Sequence, residues 1–215
     1  MPKILTEEDK NKFKNFILDK AYELFETREF HEITMNDLAK NCGIAKGTLF
    51  NYFETKETLF SEMLYKEYTK WGSDEVKKIE KYANFSKIEY RNFVLEETLN
   101  VMKYRKCFVR LAAVKRAIMN QNIKPEIILK QVIGLHNSLT AITNETAKKL
   151  DFLTPKQIYD VYTARHIILI GGFNIATNPK LVKEHLHIDQ LQGIIDMEQN
   201  VMMILDTYLT NLLGL

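Results

Sequence analysis

The sequence predicts an all-α protein, and three observations support this fold class. Several Ser, Thr and Asp residues stand three positions before an Asp, Glu or Gln, a pairing that caps the first turn of a helix. Only four prolines and eight glycines interrupt the 215 residues. The alternation of polar and apolar residues that indicates strands is scarce. We therefore expect helices throughout and no substantial sheet.

Residues 34–60 follow the order expected of a helix-turn-helix. Thr34 stands where it can cap a short helix, with Asp37 three residues later. Gly43 follows at the point where the chain must reverse, because Gly accepts the left-handed conformation that ends a helix. A second short helix is predicted to start near Ala45, and Thr55 is predicted to cap a third.

The second short helix is predicted to have two faces. Its buried face is formed by Ile44, Leu49 and Phe53. Its open face is formed by Lys46, Gly47, Thr48, Phe50, Asn51 and Tyr52. A glycine inside a helix costs about 1 kcal/mol against alanine, so Gly47 is best explained by close approach to another surface, such as a sugar-phosphate strand.

The spacing of these residues resembles the DNA-binding domain of the TetR family of bacterial transcription regulators, over about residues 10 to 60. The similar segments are Thr34-x-x-Asp37-x-Ala39, Gly43-Ile44-Ala45-Lys46-Gly47-Thr48-Leu49 and Tyr52-Phe53-x-x-Lys56-Glu57-x-Leu59-Phe60. Ala45 stands where the family often has Ser or Thr, and Phe50 where it often has Tyr. Each difference removes a hydroxyl that could bond to DNA.

The resemblance implies a role for each residue of this surface. Thr34, Tyr52 and Lys56 would hold phosphates, which sets the register of the protein on DNA. The residues implied to face base edges or the groove wall are Lys46, Gly47, Thr48, Phe50 and Asn51. Alternatives stay open for three residues: Tyr52 could cover the small core, Lys46 could be a solvated charge and Phe50 could be core filler.

The rest of the chain is predicted to be helical, which gives two domains, a DNA-binding domain over residues 1–58 and an effector-binding and dimerisation domain over residues 59–215. The predicted helices run from Leu59 to about Tyr82, from a cap at Ser86 and Glu89 toward Arg105, from Pro125 to about Leu150, from Thr154-Pro155-x-Gln157 to about Thr177, and from Asp189-x-x-Gln192 to near Leu213.

The two last helices are the most apolar, and the resemblance implies that they pair with their copies as a four-helix dimer interface. The residues assigned to this interface are Ile170, Gly171, Phe173, Met202, Leu205, Tyr208 and Leu209. The pair Gly171-Gly172 would let another helix approach closely. A homodimer would place two recognition helices in successive major grooves and read a near-palindrome.

The resemblance also implies a small-molecule effector in the middle of the chain. The candidate lining residues are Trp71, Tyr104, Phe108, Arg110, Tyr162, His166 and Phe173. Aromatic residues at helical spacing are as readily explained by a core. Arg110 or Arg165 could pair with an anionic group, and the basic residues between Lys103 and Arg116 form either a solvated face or a further contact with an acidic ligand or DNA.

Other features exclude several classes of protein. The longest apolar run, residues 167–176, is too short for a membrane span, and charged residues stud the first twenty positions, so no signal peptide is predicted. Cys42 and Cys107 stand far apart, which fits a reduced, cytoplasmic protein. His185 and His187 lack an obvious third ligand, so no metal and no cofactor is predicted.

The charge distribution does not itself indicate DNA binding, because residues 1–60 carry nine Lys/Arg against eleven Asp/Glu. No nucleophile-base pair, Gly-rich phosphate loop or metal-ligand spacing indicates an enzyme. The sequence therefore predicts a DNA-binding regulator, most simply a repressor released by an effector that shifts the population of DNA-competent dimers, with the helix from Thr55 to about Tyr82 as the moving element. The alternative is a DNA-binding protein of the same fold that is regulated by a protein partner, or has an architectural role, without a small-molecule effector.

Overall fold

A computed structural model describes residues 6–115, 123–176 and 196–215. Within these ranges the regular structure is helical and contains no strand, as the sequence predicts. The α-helices of the described residues are α1 (Glu7–Thr27), α2 (Met35–Cys42), α3 (Lys46–Phe50), α4 (Lys56–Ile79), α5 (Lys87–Tyr104), α6 (Lys106–Ala113), α7 (Pro125–Ala147), α8 (Pro155–Ala176) and α9 (Met197–Leu213), with a 3-10 turn at Phe30–Glu32.

The chain divides into two compact units. As far as the structure describes them, the first unit contains residues 6–67, 114–115 and 123–134, and the second contains residues 68–113, 135–176 and 196–215. The sequence placed the division after residue 58, whereas this division falls within α4 after Glu67. The first unit also includes the start of α7, a segment that the sequence assigned to the second domain.

The helix starts predicted from capping residues are confirmed. In each case the hydroxyl of the cap accepts a hydrogen bond of 3.1–3.3 Å from the backbone N–H three residues later. This bond satisfies one of the amides that the first turn of a helix leaves unpaired. The capping residues are Thr34, Thr55, Ser86 and Thr154.

The last described helix, α9, begins at Met197. Asp196 caps it by accepting a hydrogen bond of 2.9 Å from the backbone N–H of Gln199. Gly214 ends the helix in the left-handed conformation, with φ of 64°. The predicted start at Asp189-x-x-Gln192 lies outside the described residues.

The core of the first unit is formed by α1, α2 and the first turns of α4. Aromatic rings fill its centre, where Phe25 and Phe30 meet Phe60 edge to face with centroid separations of 5.3 and 5.0 Å. The Asn41 side chain donates a hydrogen bond of 2.7 Å to the carbonyl oxygen of Lys20, which fixes the end of α2 against α1. The helix-turn-helix therefore rests on a rigid aromatic core.

The second unit is built around α8 and α9. Helix α9 packs against both α5 and α8, and α6 packs against α8. Gly172 allows α8 to approach α9 closely, because a Cβ atom at that position would come within 2.5 Å of the Val201 side chain. The neighbouring Gly171 has open space instead. Thus one glycine of the predicted pair serves packing within this chain.

Candidate functional site

The turn between α2 and α3 is built by Gly43. Its φ is 67°, in the left-handed region that favours glycine. Its N–H donates to the carbonyl oxygen of Lys40, and the N–H of Ile44 donates to that of Ala39, each at 3.0 Å. These two bonds close α2 and aim the chain into α3, which confirms the predicted helix-turn-helix.

The two predicted faces of α3 are also observed. Leu49 and Phe53 are buried, and Ile44 is half-buried. On the open face, Thr48 and Tyr52 are half-buried, whereas the exposed residues are Lys46, Gly47, Phe50 and Asn51. The helix therefore presents donors, an acceptor amide and one aromatic ring to solvent, which are the groups that read base edges and thymine methyls.

Phe50 is exposed rather than a member of the core. Its side chain is 43% exposed, and the Lys46 ammonium lies 5.7 Å from the ring centroid. A cation over an aromatic face is weakly attracted to it. Nothing lies within 4 Å of where a Cβ atom would stand on Gly47, so this glycine leaves a gap on the open face next to Lys46.

Tyr52 packs against α1. Its ring centroid lies 5.2 Å from that of Phe13 at an angle of 52°. The covering role left open by the sequence therefore has a physical basis. A phosphate contact would use the phenol hydroxyl, and it stays a prediction.

The Lys56 ammonium group is held by the chain itself. It donates hydrogen bonds of 2.7 Å to the carbonyl oxygens of Phe30 and Ile33, and it lies 4.1 Å above the Phe30 ring. Burial lowers the pKa of Lys56 from its usual value. An ammonium has three N–H donors, so one remains for the predicted phosphate contact. The partners are more than twenty residues away in the sequence, and no local pattern signals them.

Thr34 also has an internal role. Its hydroxyl donates to the Asp37 carboxylate at 2.6 Å and accepts from the Asp37 backbone N–H at 3.2 Å. Hydrogen bonds from the side chain and backbone of Thr34 lower the pKa of Asp37. The hydroxyl proton is thus directed at Asp37, and the predicted phosphate contact of Thr34 remains untested.

Three of the predicted effector residues, Trp71, Phe108 and His166, come together in the second unit. Trp71 stacks on Phe108 with a centroid separation of 6.2 Å, and Tyr68 connects Phe108 to His166 through edge contacts of 5.7 and 5.5 Å. Sequence reasoning did not select Tyr68, whose hydroxyl lies 3.3 Å from Nε2 of His166. These four rings form one aromatic cluster.

The remaining effector candidates differ in their exposure. Tyr162 is fully buried, with its hydroxyl 3.4 Å from that of Thr146. Tyr104 is 71% exposed. Arg110 and Phe173 are half-buried.

Trp71 and Tyr104 line one cleft of about 290 Å³, here called the polar cleft. Among the described residues most of its wall is charged or polar, and Val101 is the one aliphatic residue of this part of the lining. The lining residues are Trp71, Asp74, Glu75, Lys78, Glu97, Asn100, Val101, Tyr104 and Arg105.

Each carboxylate of the polar cleft has a basic partner. Glu97 binds the Lys78 ammonium, and Asp74 binds the Arg105 guanidinium. Glu75 accepts a hydrogen bond of 2.5 Å from Nη1 of Arg165. The Glu75 and Arg165 side chains are 2% and 1% exposed, so this pair is buried behind the wall of the cleft. Sequence reasoning missed all three acids and their pairing.

Some donors next to the polar cleft lack an acceptor. Among the described residues, Nε1 of Trp71 and both Nε and Nη2 of Arg165 are buried without a hydrogen-bond partner. The Arg165 guanidinium lies 5.9 Å from the Trp71 ring centroid. A buried polar group without a partner costs about 1–3 kcal/mol.

An apolar groove of about 430 Å³ lies between α8 and α9. Ile167, Ile175 and Ile204 line it and are 64%, 56% and 49% exposed. Leu205 and Leu209, which the sequence assigned to the dimer interface, are instead buried within their own chain. Of the other residues so assigned, Gly171 is exposed, and the half-buried ones are Ile170, Phe173, Met202 and Tyr208.

The described residues contain no group of three His, Cys, Asp or Glu side chains that could hold a metal ion. His185 and His187 lie outside the described residues. Cys42 is buried, and burial raises the pKa of its thiol. Across the part of the chain that the structure describes, no helix has the length and apolar character to cross a membrane.

The helix-turn-helix matches a known family. Residues 17–63 match the sequence pattern of the bacterial regulatory proteins of the tetR family. An uncharacterized HTH-type transcriptional regulator of Mycobacterium tuberculosis is 36% identical over 63 residues, which cover 29% of this chain and 31% of that relative. The similarity to curated relatives is therefore confined to less than a third of their length.

Solved structures share the fold over nearly the whole chain. Salmonella enterica GusR superposes with a TM-score of 0.55 at 17% identity and covers 98% of this chain and 99% of its own. FadR from Bacillus subtilis, solved in complex with stearoyl-CoA, superposes with a TM-score of 0.51 at 16% identity and covers 89% of this chain and 97% of its own. At these identities the comparison shows the fold.

Proposed function

Because this chain belongs to the TetR family of bacterial regulatory proteins, we propose that it is a sequence-specific DNA-binding transcriptional regulator. Its proposed mode is that of a repressor, released from a near-palindromic operator by a small-molecule effector. The observation that carries this proposal is the open face of α3, where Lys46, Phe50 and Asn51 are exposed while Leu49 and Phe53 on the other face are buried.

The open face of α3 has the chemistry for reading a major groove. An asparagine amide pairs with adenine through two hydrogen bonds, and an aromatic ring packs on the thymine methyl group. Thr48 and Asn51 are the proposed base-reading residues, and Phe50 is the proposed methyl contact. Tyr52 and the free N–H of Lys56 are proposed to hold phosphates, which set the register.

A homodimer is part of the proposal, because one five-residue helix reaches too few base pairs for tight, specific binding. The apolar groove between α8 and α9 supports it, since clusters of exposed apolar side chains mark interaction surfaces. Ile167, Ile175, Met203 and Ile204 are about half exposed or more. We assign the interface to these residues rather than to Leu205 and Leu209.

Control by a small molecule is supported by two observations. The FadR neighbour, which shares the fold, was solved with stearoyl-CoA bound. The second unit of this chain contains the polar cleft, with unpaired donors beside it. An effector that prefers one dimer arrangement would shift the population by its differential affinity. Helix α4 is the proposed moving element, because its residues are divided between the two units.

The experiment that tests the function is selection of random duplex DNA by the purified protein at one salt concentration near physiological. An enriched near-palindrome with half-sites about one helical turn apart is expected. A folded dimer that enriches no sequence would contradict the proposal. Enrichment of a single, unrepeated half-site would contradict the dimeric mode alone.

A further inference from the structure

We propose that the polar cleft binds an uncharged molecule rich in hydroxyl or carbonyl oxygens, namely a sugar or polyol. This molecule is the effector of the regulator, a statement that rests on the proposed function. The cleft lies within the second unit between α4 and α5. Its charges, its hydrogen-bonding groups and its aromatic wall each favour this class of ligand.

The charge balance of the cleft favours an uncharged ligand. Its three carboxylates are already paired, two with bases that line the cleft and Glu75 with the buried Arg165. An added anion would face three carboxylates, and an added cation would compete with three bases. Either charge would stand without a partner in a partly buried site, which is unfavourable.

The hydrogen-bonding groups favour oxygen atoms that both donate and accept. The cleft presents carboxylate acceptors together with the Lys78 and Arg105 donors that pair with them. A hydroxyl is both a donor and an acceptor, so a row of hydroxyls can serve both sets. The Asn100 amide, which donates at 3.0 Å to Glu97, adds a carbonyl acceptor to the wall.

The aromatic wall favours a ligand with one flat apolar face. Trp71 is 5% exposed at the wall, and Tyr104 is 71% exposed. Rings with a polar tip bind molecules that are apolar on one side and polar on the other. An acyl chain is disfavoured, because Val101 is the one aliphatic residue of the lining that the structure describes, and binding sites for apolar molecules are mainly hydrophobic.

The sequence provides a direct probe, since Trp71 is the single tryptophan of the chain. Tryptophan emission of the full-length protein should be titrated with glucose, galactose and mannitol. Gluconate, glucosamine and decanoate serve as anionic, cationic and acyl comparisons. We expect a saturable change with at least one neutral compound and none with the other three. A change only with a charged or acyl compound, or no change with any, overturns the proposal.

A matched pair of variants on α5 locates the ligand. Asn100→Ala removes an amide that lines the cleft, while Asn92→Ala removes an exposed amide two turns earlier, outside it. We expect Asn100→Ala to weaken binding of the neutral compound roughly tenfold and Asn92→Ala to leave it unchanged. Equal effects of the two variants would place the ligand elsewhere and overturn the site.

Failure of the proposed function is distinguishable from failure of this site, because the emission titration needs no DNA. The bound neutral compound should also change the affinity for the selected duplex in the wild-type protein, and an unchanged affinity removes its role as effector. Selection that enriches no DNA, together with intact binding of the neutral compound, would refute the regulator and retain the ligand site.

Discussion

The Nζ atom of Lys56 lies 2.7 Å from the carbonyl oxygen of Ile33, and at the same distance from that of Phe30. The first residue of α4 therefore fastens the 3-10 turn at Phe30–Glu32 from a position just beyond the recognition helix. A lysine that the sequence assigns to phosphate also holds the helix-turn-helix together.

We expect Lys56→Met to lower the free energy of unfolding by about 1–3 kcal/mol, because the part-buried carbonyl oxygens of Phe30 and Ile33 each lose a charged donor. Urea unfolding measures this loss, with the exposed Lys40→Met as the control. If Lys56 also holds a phosphate in each protomer of the dimer, the slope of log K against log salt concentration should decrease in magnitude by about 2, one for each phosphate lost. An unchanged slope would restrict Lys56 to the structural role.

Tyr52→Phe separates the two roles of Tyr52. It keeps the ring that packs on Phe13 and removes the hydroxyl proposed to hold a phosphate. We expect unchanged stability and DNA affinity lowered by a similar factor for every sequence, measured by fluorescence anisotropy with several duplexes. Unaltered affinity would mean that Tyr52 only covers the core.

Asn51→Ala should change which DNA is preferred. A lost pair of hydrogen bonds to one base costs about 1–3 kcal/mol of discrimination, so repeated selection should relax the sequence at one position of each half-site. Asn41→Ala is an unsuitable control because that side chain bonds to Lys20. The control is Asn36→Ala, because Asn36 is exposed on α2 and lies outside the proposed DNA contacts. An unaltered preference in Asn51→Ala would exclude Asn51 from base reading.

Replacing each of the two adjacent glycines of α8 by alanine should have opposite effects on the stability of the protein. A Cβ atom on Gly172 would come within 2.5 Å of Val201, so Gly172→Ala should destabilise the chain by about 1–3 kcal/mol. Gly171 faces open space, and Gly171→Ala should stabilise the helix by up to about 1 kcal/mol. Thermal unfolding compares them. Equal destabilisation would contradict the packing of α8 on α9.

Glu62 should contribute an acid-sensitive part of the stability. Burial alone would raise its pKa, but hydrogen bonds and charges from Lys130 and Lys14 outweigh burial, and the pKa is lowered from 4.5. A carboxylate with a lowered pKa stabilises the fold above its unfolded pKa, and this contribution is lost as the pH falls through the folded pKa. The free energy of unfolding of the wild type should therefore exceed that of Glu62→Gln by the largest amount near neutral pH, and this excess should shrink below pH 4.5.

Urea unfolding at several pH values measures that difference. The control is Glu54→Gln, since Glu54 pairs with Lys124 at the surface and both side chains are more than half exposed. A surface pair of this kind contributes about 0–1 kcal/mol. If the free energies of unfolding of wild type and Glu62→Gln differ by the same amount from neutral to acid pH, Glu62 does not make the acid-sensitive contribution assigned to it.

Local rules were enough to predict the helix starts and the recognition turn. A hydroxyl at Thr34, Ser86 or Thr154 with its partner three residues later specifies a cap by itself, and Gly43 specifies the left-handed turn. The exposure of α3 follows from its periodicity. The same rules could not assign roles to Gly171 and Gly172, because the two glycines differ only in their tertiary contacts. Val201 of α9 packs against Gly172, whereas Gly171 faces open space.

The sequence by itself determined the helical class, the capped starts and the helix-turn-helix, since these depend on interactions within about four residues. The tertiary structure alone decided which charges and glycines work together. Arg165 pairs with Glu75 across ninety residues of sequence, and Lys56 reaches Ile33 across twenty-three. Such pairs form only when packing brings distant helices within hydrogen-bond reach. That is why the polar cleft and the internal role of Lys56 could not be predicted from the sequence.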